Sequence, residues 1–279
     1  MSEALVALVT ALGDDELILG HRHSEWTGYA PHIEEDVAFS SIAQDEIGHA
    51  AGYYSIAAAA AGGDPDVIAL GRPANAYRNA ILCERPNSDW AYTLARHWVY
   101  DIAEDIRLEA LEGSAHADLA GLATKIRREE RYHQLHASMW LKRVAGGPVE
   151  GRTKLSSALS LVMADVPGLF EPFELEDEAV KEGFLPVPSG EQLERFKASA
   201  AEGLEAAGLP DAVGIGASGT RAELIASSSG DLIARDEDGD GAADPPDGAG
   251  GRYGRHTPSF DELWDVMTVT YRDNPGATW

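Results

Sequence analysis

The chain has 279 residues, 44% of them hydrophobic, and a formal charge of -25 from 22 basic and 47 acidic side chains. That length and apolar content supply a sizeable core for one large domain or two small ones. The acidity excludes nucleic acid and anionic membrane as partners, because each phosphate would add repulsion rather than release counterions. No apolar run is long enough to span a bilayer, and Met1–Leu12 has neither a basic leader nor a small-residue cleavage site, which places the chain in the cytoplasm.

Leu5, Leu8, Leu12, Leu19 and Trp26 recur at helical spacing and predict a first helix over 2–29, ended or kinked at Tyr29-Ala30-Pro31. Phe39, Ile42, Tyr53 and Ile56 mark a second, closed by Gly62-Gly63-Asp64-Pro65. Residues 66–86 read as a looser connection. A third helix starts after Pro86-Asn87-Ser88, carries Leu94, Trp98 and Leu108, and stops near Gly113; Leu119, Leu122, Ile126 and Trp140 define the fourth, which ends at Gly146-Gly147-Pro148. Two helix pairs joined by a longer crossover predict an all-α four-helix bundle over 1–150. Residues 153–180 and 189–207 predict two helices packed outside it, separated at Pro186-Val187-Pro188, so that 151–207 forms an added layer of a single domain. Residues 208–256 read as a long loop rich in Gly, Ala and Asp. Thr257-Pro258 then fits the cap and first position of a last helix in 257–279, running to about Tyr271.

Each bundle stripe is interrupted by groups foreign to an apolar seam. Glu16 falls between Leu12 and Leu19, Glu46 and His49 between Ile42 and Tyr53, Asp101 after Trp98, and Glu130 and His133 after Ile126. Four carboxylates in a core cost several kcal/mol each and repel one another. Two metal ions offset that cost, since carboxylates bridge them and each imidazole caps one. Di-iron and di-manganese bundles use this set: one carboxylate from each of two helices and a Glu-x-x-His pair from each of the other two. Glu16 precedes Glu46 by 30 residues and Asp101 precedes Glu130 by 29, which suits antiparallel helices joined by short turns. On the third helix Glu104 and Asp105 lie within one turn of Asp101 and compete for the inward position. The competing reading makes the six groups surface residues, or a salt-bridged polar core with Arg22, Arg96 or Arg127 as partners.

His21, His23 and His97 are candidates for groups behind the ligands or for structural roles, with His23 on the stripe of Glu16. Tyr53, four residues beyond His49, suits core packing more than redox chemistry. Cys83, the single cysteine, excludes an internal disulfide and has no activating base nearby. Asp236-Glu237-Asp238-Gly239-Asp240-Gly241 is like the start of a calcium loop, but Asp247 stands where the distal Glu belongs, and an acidic loop is the plainer reading.

With these residues in view, the chain resembles the phenylacetyl-CoA epoxidase family, the ferritin-like A and C subunits of a bacterial ring-epoxidising monooxygenase. The likeness rests on Leu19-Gly20-His21-Arg22 with Ser24-Glu25-Trp26, Pro86-Asn87-Ser88-Asp89, Arg131-Tyr132-His133, and Arg255-His256-Thr257 through Pro275-Gly276-Ala277-Thr278-Trp279. This layout is closest to the C subunit, a structural partner in that family, whereas Gln44-Asp45-Glu46-Ile47-Gly48-His49 is similar to the metal-binding motif of the A subunit. The resemblance implies a ferritin-like fold and a dinuclear iron site on Glu16, Glu46, His49, Asp101, Glu130 and His133, where O2 is activated and one oxygen atom is added across a bond of the ring of phenylacetyl-CoA. It also implies a homologous ferritin-like subunit, or a second copy, as partner. Electrons would come from a separate NAD(P)H-dependent reductase, because the chain has no dinucleotide fingerprint or cysteine cluster. The nucleotide of the CoA thioester would need a partner subunit or a local arginine cluster. The alternative role is a non-catalytic C subunit that scaffolds a catalytic A subunit, with its own site empty or vestigial.

Overall fold

The computed structural model describes residues 2–210 and 248–277. Four long helices form a bundle: α1 (Glu3–Ser24), α2 (Ile33–Ala61), α5 (Trp90–Leu111) and α6 (Ala117–Ala145). Short helices α3 (Pro65–Leu70) and α4 (Ile81–Glu84) lie in the crossover. They are followed after the bundle by α7 (Val149–Leu169), α8 (Glu176–Lys181), α9 (Ser189–Ala206) and α10 (Pro258–Asp273). The fold is all-α and ferritin-like, with α1 packed on α2, α5 on α6, and α2 beside α6. The outer layer falls mainly on α5, where α7 and α9 dock, and on α1, which α8 meets. No described helix is long and apolar enough to cross a membrane.

Local chemistry sets these boundaries. Gly62 closes α2 in the left-handed region (φ 77), its N–H reaching the Ala58 carbonyl. Asp89 caps α5 by accepting from the Tyr92 N–H at 3.0 Å. Three expectations need correction. The first helix ends at Ser24, not near Tyr29, where the Ser24 hydroxyl bonds the His21 carbonyl and the Trp26 indole is drawn to Thr93. The predicted 153–180 helix is two helices, parted where Pro172 forbids continuation and Leu175 adopts φ 68. Thr257 precedes Pro258 as expected, but its hydroxyl meets Ser259 rather than capping the helix, while its N–H donates to Glu84.

The crossover is far from loose. Tyr77 and the run from Ala80 to Arg85 are buried, because two adjacent acids of α1 hold the segment. Asp14 accepts from the Arg78 N–H at 2.7 Å and from the Arg72 guanidinium, and Asp15 accepts from the Ala80 N–H at 2.7 Å. Asp15 also meets Arg252 at 2.6 Å, which pins the C-terminal segment into the core. The calcium-like stretch Asp236–Gly241, with Asp247, lies outside the described residues.

Candidate metal centre

Two apolar clusters flank a polar middle. One contains Leu8, Leu12, Tyr53 and Ile126, the other Leu17, Leu19, Trp98 and Val99. Between them lie all six predicted ligands, none more than 2% exposed: Glu16 from α1, Glu46 and His49 from α2, Asp101 from α5, and Glu130 and His133 from α6. None pairs with the arginines that the competing reading requires. Arg22 bonds Glu25 and the Glu84 carbonyl, Arg96 the Arg85 carbonyl and Asn87, and Arg127 meets Asp105 and Glu112.

Four of the six form a connected chain. His49 Nδ1 stands 3.1 Å from Glu16 Oε2 and 3.7 Å from Glu130 Oε1, and Glu130 Oε1 lies 2.9 Å from His133 Nδ1. The opposite ring nitrogens face outward and cross between helices: His49 of α2 meets Glu129 of α6 at 3.0 Å, and His133 of α6 meets Asp45 of α2 at 3.3 Å. Each imidazole thus turns Nδ1 into the carboxylate cluster and is oriented through Nε2 by a half-exposed acid, the pattern by which outer carboxylates fix metal-binding histidines. Glu46 and Asp101 stand apart from this chain. Both oxygens of Glu46 lie 2.9 Å from His23 Nδ1, and Asp101 Oδ1 lies 3.2 Å from His97 Nδ1. As the side chains stand, no three His, Cys, Asp or Glu groups among the described residues are posed around an ion.

The electrostatics tie all six together. Burial pushes the Glu46 carboxyl well above its usual range, and the charges of Glu16, Glu130 and Asp101 add to it. Asp101 is pushed up to about 8, chiefly by burial. Burial alone would lower His49 and His133, yet the bonds and charges of Glu16 and Glu130, respectively, outweigh it and raise each to about 9. Asp101 Oδ2, Glu104 Oε1 and His23 Nε2 are buried with no hydrogen-bond partner. Acceptors left bare in a core call for a cation, and a carboxylate-imidazole donor set fits iron or manganese.

Of the competitors on α5, Asp105 turns outward to Arg127, whereas Glu104 is as buried as Asp101, bonded to Arg107 at 2.6 Å and raised to about 8 by burial. Helix α5 therefore presents two inward carboxylates. The Tyr53 hydroxyl is buried without a partner, and burial pushes the Cys83 thiol up, which leaves it unreactive. Sequence reasoning missed Tyr100, whose hydroxyl donates to Glu16 Oε1 at 2.8 Å, and His136, held by Glu35 at 2.8 Å. His136 had a signal, lying one turn past His133 on the same face. Asp45 and Glu129 had one too, since each directly precedes the Glu of a Glu-x-x-His pair. A cavity of about 150 Å³ between α5, α6 and α9, lined by Trp98, Asp101, Ile102 and Gln134, reaches this polar middle.

Residues 1–221 match the model of a family described as phenylacetic acid catabolic protein. This chain belongs to that family. It is also 33% identical, over 66% of its own length and 75% of the relative's, to the C subunit of the 1,2-phenylacetyl-CoA epoxidase of Escherichia coli (strain K12). That relative is one component of an epoxidase with more than one kind of subunit, so the likeness ties this family member to an enzyme complex.

Proposed function

We propose that this chain is a subunit of a multicomponent, O2-dependent epoxidase acting on the ring 1,2 bond of phenylacetyl-CoA, and that Glu16, Glu46, His49, Asp101, Glu130 and His133 hold two iron ions. The substrate follows the relative's name; the metal follows from one observation. Six buried acid and imidazole groups share an interior without an arginine among them, and both imidazoles aim Nδ1 inward while an acid from the other helix holds Nε2. Iron so held supplies the reduction of O2 and the transfer of one oxygen atom. The protein's own part is to keep Glu16 oriented by Tyr100, to fix both imidazole tautomers through Asp45 and Glu129, and to exclude water between two apolar layers. Electrons come from a separate reductase. The groove lined by Arg72, Arg78 and Arg252 spends two of its guanidinium groups on Asp14 and Asp15, which leaves the CoA nucleotide to a partner subunit.

Anaerobic reconstitution with Fe(II) is expected to load about two iron atoms per chain, and Glu46→Ala to lose most of them. Folded protein holding well under one atom would overturn the assignment. A scaffolding role with a vestigial site is favoured by the turn of Glu46 onto His23. It predicts that the assembled complex keeps its epoxidase activity in Glu46→Ala, and loss of activity with the complex intact excludes it.

A further inference from the structure

Three more imidazoles lie in the polar middle, and the six-ligand centre uses none of them. His23 of α1, His97 of α5 and His136 of α6 are 0%, 0% and 7% exposed. His97 stands between the other two, its ring centre 5.5 Å from that of each, and Phe39 of α2 packs against all three at 5.2–5.7 Å. Each ring has a carboxylate at one nitrogen. His23 Nδ1 lies 2.9 Å from both oxygens of Glu46, His97 Nδ1 lies 3.2 Å from Asp101 Oδ1, and His136 Nε2 lies 2.8 Å from Glu35 Oε2. The opposite nitrogens, Nε2 of His23 and His97 and Nδ1 of His136, are buried without a hydrogen-bond partner.

An imidazole that directs its one proton at a carboxylate presents a lone pair at the other nitrogen, and a lone pair left bare in a core calls for a partner. Three of them on neighbouring rings, each ring braced from behind by an acid, make the arrangement in which carboxylates orient metal-binding histidines. Spacing and charge agree. Two imidazoles that share a tetrahedral ion have ring centres roughly 5 Å apart, close to the 5.5 Å found twice here. Glu46, Asp101 and Glu35 outnumber the one buried guanidinium whose charge reaches these rings, that of Arg96. The rings do not already enclose an ion; closing on one takes side-chain rotation on helices that the bundle holds in place. We propose that His23, His97 and His136 form a separate mononuclear metal site beside the six-ligand centre, which takes zinc and ties α1, α5 and α6 together. Three nitrogen donors select a borderline cation over the magnesium and calcium that oxygen donors prefer. Glu35 and His136, 8% and 7% exposed, mark the way in. Nothing in this inference depends on iron at the six-ligand centre.

The test uses the full chain, stripped of metal and titrated with Zn2+ against a competing chelator, with Co2+ as a coloured substitute. His49→Ala with His133→Ala removes both imidazoles of the six-ligand centre, and circular dichroism should confirm that this double variant is folded. It is expected to keep about one zinc per chain, with three imidazoles in the X-ray absorption spectrum and, for cobalt, the strong visible bands of a four-coordinate ion. In the same background Glu35→Gln should weaken binding about 10–100-fold by loosening His136, and His97→Ala should abolish it. Failure of the folded double variant to hold zinc overturns the inference, since any zinc bound by the wild-type chain then belongs to the six-ligand centre. A six-coordinate, oxygen-rich spectrum overturns it as well, by assigning the ion to the carboxylates. Zinc affinity unchanged in both Glu35→Gln and His97→Ala overturns the ligand set. Iron content of the wild-type chain is a separate reading: about two iron atoms without this zinc site would sink the inference and leave the proposed function standing.

Discussion

Tyr100 shows how much the proposed centre depends on groups outside the six candidate ligands. Its hydroxyl donates to Glu16 Oε1 inside the core, so Tyr100→Phe leaves a buried carboxylate oxygen unsatisfied. The expected cost is about 1–3 kcal/mol in urea unfolding of the metal-free chain; a change within experimental error would mean that Glu16 finds another donor. The ligand-type residues were legible because acids and imidazoles are conspicuous in an apolar stripe. Tyr100 was not, since a tyrosine in a stripe reads as core, and neither were Asp14 and Asp15, which lie beside Glu16 but point to Arg72 and Arg252. The partners that explain those two acids lie far along the chain, where no local pattern reaches. At Asp101 the ambiguity was physical, for Glu104 is equally buried one turn on.

Helices α1 and α2 approach closely because glycine lets them. A Cβ at Gly20 would stand 2.9 Å from Ile47 Cγ1 and 3.2 Å from the Ala43 carbonyl, so Gly20→Ala pushes apart the two helices that carry Glu16 and Glu46. It is expected to destabilise by about 1–3 kcal/mol despite the better helix former. Gly48 also sits inside a helix, but nothing lies within 4 Å of an added Cβ, and Gly48→Ala should stabilise the isolated chain by about 0.5–1 kcal/mol. Opposite shifts in melting temperature check the pair, and equal shifts would refute the packing argument. The bundle helices were readable from their apolar period and their Gly and Pro stops. Their flanks were not: Trp26 continues the stripe of α1 but leaves the helix to reach Thr93, and α3 and α4 are too short to show periodicity, the segment between them being held by hydrogen bonds from Arg72, Arg78 and Ala80 to Asp14 and Asp15.

For the molecule as a whole, burying these groups without metal makes stability depend on pH in a definite direction. His49 and His133 are raised from 6.5 to about 9, and Asp101 and Glu104 are raised to about 8. All four hold protons more tightly folded than unfolded. The histidine contribution is complete below pH 6.5 and is lost as pH climbs through about 9, and the two acids lose theirs by about 8. The metal-free melting temperature should therefore fall between about pH 6.5 and about pH 9, while metal affinity rises over the same range because only deprotonated ligands bind. A flat or rising thermal profile of the metal-free chain would contradict this assignment. Removing the guanidinium in Arg252→Ala should cost about 3–5 kcal/mol, as for a broken buried pair, seen as a loss in denaturant midpoint. Arg252 lies 237 residues after Asp15, and that separation sets an order of events on the ribosome. The four helices emerge first, with the acid next to Glu16 still lacking its last cation, and the interior can close only once Arg252 has been made. Assembly of the proposed centre should therefore wait for Arg252, and a nascent product truncated before that residue should be unable to form it.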